Sequence, residues 1–265
     1  MIAPAILPED YRDWNCIHAA PYGRPPLRAS LMNWAWLLPT RVLNRRRGPF
    51  AIQKNNTTRE FEYPWAFASA DLQPGMRVVE IGGSLSGFQF VLSQSGCKVI
   101  NIDPGMEAVG VGWPCDESSI KKLNSLFRTD VELRNTVISR AGIPDASIDR
   151  FFSISVLEHL PEDDLNDVLI HAYRCLKPGG LFIMTVDLFL NLRPFTDRVA
   201  NEYGINQDIS SFLRPAPFEL LKGKRSELYG FDDFDFRRIL ANVEKFFIGS
   251  YPALVQCVIL RKPAL

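Results

Sequence analysis

From Pro64 onward the apolar positions fall into two alternating kinds of block. The first kind is a short continuous run rich in β-branched residues: Val78, Val79 and Ile81 in MRVVEIGG, then CKVINID ending at Asp103, FFSISV from Phe151 and LFIMTVD from Leu181. Such runs suit strands buried on both faces. A further strand is expected within Val131 to Ser139. The second kind spaces its apolar residues as a helix does, most clearly between Pro161 and Cys175, where Leu165, Val168, Leu169, Ala172 and Leu176 share one face. Pro161 suits a first helical turn there. Further helices are predicted through Trp65 to Ala70, near Ser86 to Ser95 and from Asp116 to Phe127. Asp103-Pro104-Gly105 and Lys177-Pro178-Gly179-Gly180 punctuate the pattern. Strands joined by helices imply an α/β fold with a parallel sheet and right-handed crossovers.

The ends depart from this rhythm. Prolines 4, 8, 21, 25, 26, 39 and 49 interrupt residues 1 to about 60, which also hold an aromatic stretch, Leu31 to Leu38, and a basic cluster, Arg45 to Arg47. This part is expected to be a cap or lid on a domain running from 61 to 265. Residues 188 to about 230, with Pro194, Pro215, Pro217 and the charged LLKGKRSEL, look like an insertion over a binding site. A helix from Asp232 to Asn242 should follow. EKFFIGSY and ALVQCVILRK then form two strands separated only by the neighbourhood of Pro252. So short a link permits a hairpin, so the last strand should run antiparallel to the rest.

Composition narrows the function. At 265 residues one elaborated domain is expected. Lysine plus arginine equals aspartate plus glutamate at 30 each, so no overall field favours nucleic acid or an anionic membrane. The five cysteines are scattered and never spaced as C-x-x-C, which suggests neither a disulfide framework nor a zinc site, and no other cluster predicts a metal. With no secretory pattern at the start and no apolar run long enough for a membrane span, the expected location is cytoplasmic.

The chemistry concentrates where the first strand passes into a helix, at VVEIGGSLSGF. Gly82, Gly83, Ser84 and Gly87 are the small residues that let a ligand approach the backbone, and amides at a helix N-terminus hold an anionic group. A tight packing turn without ligand would use the same residues. Asp103, at the end of the next strand about twenty residues on, is placed to accept ribose hydroxyls; an Asx turn before Pro104-Gly105 is its plainer use.

Glu80-Ile81-Gly82, Asp103, the SVLEHL of Ser155 to Leu160 and the LKPGG of Leu176 to Gly180 together resemble the class I S-adenosylmethionine-dependent methyltransferases, in particular the type 11-like enzymes acting on small molecules. The resemblance spans residues 76 to about 187. It implies a Rossmann-like, doubly wound, mostly parallel sheet of seven strands whose last strand is antiparallel, S-adenosylmethionine as cofactor and a small-molecule acceptor. By the same resemblance Glu80 and Gly82 flank the methionine part, Asp103 the ribose, and Ser155, Val156 and Leu157 the sulfonium end. Two departures stand out. The usual glycine-x-glycine-x-glycine is replaced by Gly82, Ser84 and Ser86, or by Gly83 and Gly87. No aspartate follows the third strand near Ile138 to Ala141, so adenine is expected against Met106 or on backbone near Ser139, beside Pro104.

His159 and Asp187 are the candidate bases, the first for its titration near neutrality, the second for its place on the carboxyl rim of the sheet. Upstream, in the run TTREFEYPWAF, Arg59 and Tyr63 are candidates to cover the cofactor's carboxylate, although burial of Tyr63 and Trp65 as core aromatics is the preferred reading. Arg193, Phe195, Arg214 and Phe218 of the insertion are candidate pocket residues. Two rival functions are a catalytically silent cofactor-binding partner and a nicotinamide-dependent oxidoreductase; neither accounts for SVLEHL with LKPGG.

Overall fold

A computed structural model describes residues 1–20, 48–51, 56–105 and 115–264. Met106, the aromatic stretch 31–38 and the basic cluster 45–47 lie outside them. Helix α1 (Glu9–Ile17) and helix α2 (Arg59–Ser69) precede the alternating region. There follow β1 (Arg77–Ile81), α3 (Gly87–Gln94), β2 (Lys98–Ile102), α4 (Glu117–Phe127), β3 (Glu132–Arg134), β4 (Ile148–Ile154), α5 (Glu162–Cys175) and β5 (Leu176–Phe189). A two-stranded ribbon, β6 (Ala200–Asn201) with β7 (Gly204–Ile205), opens the insertion; β8 (Glu219–Lys222), α6 (Phe236–Leu240) and β9 (Ala253–Arg261) complete the chain.

Seven strands form one sheet in the order β3-β2-β1-β4-β5-β9-β8. β1 pairs in parallel with both β2 and β4, so the winding reverses between β1 and β4. β9 runs antiparallel to β5, from Leu181 opposite Arg261 to Phe189 opposite Ala253. This is the expected Rossmann-like architecture. Alternation within a strand divides the core between the two faces of the sheet: Val78 joins Phe61, Phe88 and Phe90 beneath α2 and α3, while Val79 joins Leu165, Leu169 and Ala172 of α5.

Several elements differ from the sequence expectation. α2 starts at Arg59 rather than near Trp65, which brings Arg59, Glu62 and Tyr63 onto a helix. Pro64 inside it cannot donate to the carbonyl of Glu60, and Asn15 Nδ2 of α1 donates there instead at 2.8 Å. Pro161 stands at the cap of α5, one position before its first turn. α5 ends at Cys175, as LKPGG predicts, but LKPGG itself is the first part of β5, with Gly179 N donating to Lys262 O at 2.9 Å and Lys262 N to Gly180 O at 3.0 Å. The helix predicted from Asp232 shrinks to α6, capped by Asp235.

The terminal hairpin is not formed. EKFFIGSY makes a single 3-10 turn at Val243–Lys245 followed by irregular chain, and Phe246 and Phe247 pack against Leu188, Ile239 and Leu254. The outer partner of β9 is β8, from the charged part of the insertion. Its neighbour along that edge is the start of the chain: Ile2 bridges Gln256, and Ala3 N donates to Val255 O at 2.9 Å.

Candidate active site

At the carboxyl end of β1 the backbone turns sharply into α3. Gly82 has a φ of +67°, and a Cβ there would lie 2.7 Å from Val156 Cγ1. A Cβ on Gly83 would stand 2.8 Å from Asn101 Oδ1 and 2.9 Å from Glu80 Cδ; one on Gly87 would meet the backbone nitrogen of Phe50 at 2.7 Å. Small residues are therefore required here by packing as well as by conformation. A buried amide network fixes the turn. Asn101 Nδ2 donates to Ser84 O at 2.9 Å and to Gln89 Oε1 at 3.1 Å, while Gln89 Nε2 donates to Ser84 O and Ser86 O.

Two of the turn's amides are engaged by side chains. Gly83 N donates to Asn101 Oδ1 at 3.2 Å, and Ser84 N to Asp103 Oδ2 at 2.7 Å. The other oxygen of Asp103 accepts from Gly105 N at 2.7 Å, which is the Asx turn, and burial pushes its carboxyl up. Asp103 is thus locked at the tip of β2 with lone pairs to spare. Glu80 is buried beside it. Ser86 Oγ donates to its Oε1 at 2.9 Å, Oε2 has no partner among the described residues, and burial raises the carboxyl to about 8.

The side of the site toward β4 and β5 is built on α2. Arg59, Glu62 and Tyr63 share one helical face. Arg59 pairs with Glu62 and donates to Ser155 Oγ at 2.7 Å. Glu62 is fully buried; Ser155 Oγ and Thr185 Oγ1 each donate to its Oε1 at 2.6 Å. Arg59 and these donors hold its carboxyl below the ordinary range against the opposing effect of burial. Ser155, with a φ of +48°, also lies 3.3 Å from Asp187 Oδ1. Asp187 N donates to Glu158 Oε1 at 3.3 Å, and Glu158 Oε2 is a second buried oxygen without a partner among the described residues. Burial lifts Glu158 to about 7 and, with the adjacent carboxylates of Glu158 and Glu62, raises Asp187 well above its ordinary value. Burial and the neighbouring Asp187 push the Tyr251 hydroxyl up.

The predicted site residues are therefore sorted by place. Glu80, Gly82, Gly83, Ser84, Gly87, Asp103 and the half-buried Pro104 stand around the ends of β1 and β2; Arg59, Ser155 and Asp187 gather at the ends of β4 and β5. Val156 walls Gly82, but Leu157 is fully buried in the core on the α5 face. Tyr63 is a core aromatic stacked on Phe88 at 5.2 Å, as Trp65 is buried nearby. Ser139 is exposed on a 3-10 turn. His159 is also exposed, and its Nδ1 is hydrogen-bonded to the carbonyl of Tyr203, so it ties down the β6–β7 ribbon instead of facing the carboxyl cluster. Phe218 is not a pocket residue, being buried against Tyr173 and Phe182 beside α5. Arg193 and Arg214 are surface residues, the latter paired with Asp208, and Phe195 packs on the cluster around Leu188. Sequence reasoning missed Glu62, Glu158, Thr185 and Tyr251. The one available signal was Arg59 and Glu62 at i and i+3 in REFEY.

Residues 79–184 match the family model described as a methyltransferase domain. The match covers less than half of the chain. A protein of Mycolicibacterium smegmatis named as a probable S-adenosylmethionine-dependent methyltransferase is 25% identical over 114 residues, which are 42% of this chain and 43% of that protein. The match thus spans less than half of that relative. Among solved structures, the 1,6-didemethyltoxoflavin-N1-methyltransferase of Burkholderia thailandensis, with 1,6-didemethyltoxoflavin and S-adenosylhomocysteine bound, is 14% identical with a TM-score of 0.52, over 99% of this chain and 95% of that one. The cyclase SpnF is 15% identical with a TM-score of 0.54, over 89% and 97%. At these identities the two structures speak for the methyltransferase-type fold alone. Both halves of the site, Glu80 with Asp103 and Ser155 with Glu158, lie inside the matched methyltransferase domain; Arg59, Asp187 and Tyr251 lie outside it.

Proposed function

We propose that this chain transfers a methyl group from S-adenosylmethionine to a small acceptor, with the cofactor over β1 and β2 and the acceptor toward β4 and β5. The observation that carries the reading is Glu80: a buried carboxyl at the end of β1 with one oxygen unpartnered among the described residues, next to a turn that admits no Cβ at Gly82, Gly83 or Gly87. An ammonium such as that of the cofactor's methionine satisfies such an oxygen, which is otherwise costly to bury. Asp103, immobilised by two amides, has free lone pairs for a ribose diol. The residues present thus fit the group at both of its ends.

When bound, the cofactor supplies an electrophilic methyl on a sulfonium. The chain's own contribution is alignment and exclusion of water. Glu80 and Asp103 fix the two ends, and Ser155, held in a left-handed conformation by Arg59 and Glu62, shapes the floor where the winding reverses. Asp187 takes the role of base, since it is buried on the rim with a raised affinity for protons; His159 anchors the ribbon. Calorimetry with S-adenosylmethionine and S-adenosylhomocysteine tests the binding half: micromolar affinity in the parent chain and at least about tenfold loss in Asp103→Ala are expected. No binding of either compound rejects the proposal. Binding without methyl product on any acceptor would favour a silent binding partner.

A further inference from the structure

Side chains at alternate positions of β5 point to the same face of the sheet. Thr185, Asp187 and Phe189 therefore form a row that starts at the Glu62 network and ends under the β6–β7 ribbon. Beyond Asp187 the row meets aromatic rings. Phe189 lies 6.2 Å from Tyr203 at an interplanar angle of 18°, and Tyr251 lies 6.1 Å from Tyr203 and 6.5 Å from Phe189. Tyr203 is 41% exposed, so this group reaches the surface.

This cluster holds more carboxyls than cations among the described residues. Among the described residues, Arg59 is the cation that faces it, and its partner is Glu62. Glu158 and Asp187 remain, both buried, with Glu158 Oε2 accepting nothing from the described residues. A metal ion does not answer the need, because no group of three or more His, Cys, Asp or Glu among the described residues is arranged to hold one. Buried carboxyls below a cluster of aromatic rings are instead the surroundings that favour an organic cation.

Resting on the methyl-transfer reading, we propose that the acceptor is a protonated amine carried on an apolar or aromatic body, its charge received by Glu158 and Asp187 and its body by Phe189, Tyr203 and Tyr251. Transfer then needs the amine neutral. Its proton passes to the Asp187 carboxylate, and the nitrogen lone pair forms the new N–C bond as the S–C bond breaks. The electron pair of that bond stays on sulfur as a thioether lone pair, leaving a methylated ammonium. Burial of Asp187, and then the facing carboxyls of Glu158 and Glu62, raise its affinity for this proton, with Arg59 and Tyr251 opposing.

The test uses the whole chain loaded with S-adenosylhomocysteine and two probes of like shape, phenethylamine and 2-phenylethanol, titrated by ligand-observed NMR. The amine is expected to bind at least about tenfold more tightly, the scale of a hydrogen bond to a charged group. Glu158→Gln should bring the two probes close to parity. Tyr251→Phe, a milder change near the surface, should reduce the preference several-fold. Equal binding of the two probes to the parent chain overturns the proposal, as does a preference that survives unaltered in both variants. If S-adenosylhomocysteine itself fails to bind, the methyl-transfer reading falls and this proposal falls with it; if it binds and the amine preference is missing, only the acceptor class is wrong.

Discussion

Glu80 and Glu158 carry protons in the folded chain that exposed carboxyls would have shed. Their contribution to stability is complete below the ordinary value of 4.5 and is lost as pH rises through about 7 for Glu158 and about 8 for Glu80. The ligand-free chain should therefore melt at progressively lower temperature from about pH 5 to 8.5, read by differential scanning fluorimetry, and Glu80→Gln should flatten the upper part of that slope. Glu62 acts in the opposite sense: its contribution is present above 4.5 and is lost as pH falls through its depressed folded value. Arg59→Ala leaves the Glu62 charge to two hydroxyls and should cost about 3 kcal/mol in urea unfolding. Glu80, Asp103 and Asp187 were legible in the sequence because each sits where a recognisable strand ends. Glu62 and Glu158 were not. On a helix face or in a turn, a glutamate reads as a solvated charge, and only the folded packing around the ends of β4 and β5 makes these two buried.

At the level of elements, the strand-and-helix alternation was readable because parallel strands are apolar on both faces and the helices between them on one. What failed was at the edges. β8 is a short outer strand whose residues are mostly exposed, so ELLK carries no apolar run, whereas the phenylalanines of EKFFIGSY are apolar because they fill a side cluster and not because they pair. The ribbon's seat is also invisible in sequence: Gly204 has a φ of +137°, and a Cβ there would collide with the carbonyl of Glu158. Gly204→Ala should release the ribbon from the 157–160 turn, which hydrogen exchange would report as faster exchange over residues 200–205. Asn15→Ala removes the donor that answers Pro64 and should destabilise by about 1 kcal/mol while leaving cofactor affinity intact.

The whole molecule has no net charge, yet its interior at the carboxyl ends of the strands is strongly acidic. Overall composition, from which a charged macromolecular partner seemed unsupported, says nothing of that interior, which arises only when α2 and three strand ends converge. Binding of a cationic cofactor should stabilise the chain by about 2.7 kcal/mol at a hundredfold excess over Kd. The gain should grow between about pH 6 and 8, because the ionised form of Glu80 that it favours becomes easier to reach. A thermal shift independent of pH would contradict the place given to Glu80.

The pairing of residues 1–3 with 255–257 has a bearing on how the protein is made. A ribosome releases the first of these segments long before the second exists, so the opening residues must wait, unpaired, until nearly all of the sheet has been synthesised. Whatever is fused ahead of Met1 in the laboratory will sit at that late seam, where bulk would interfere with the last strand's docking while leaving the cofactor pocket's own sequence untouched.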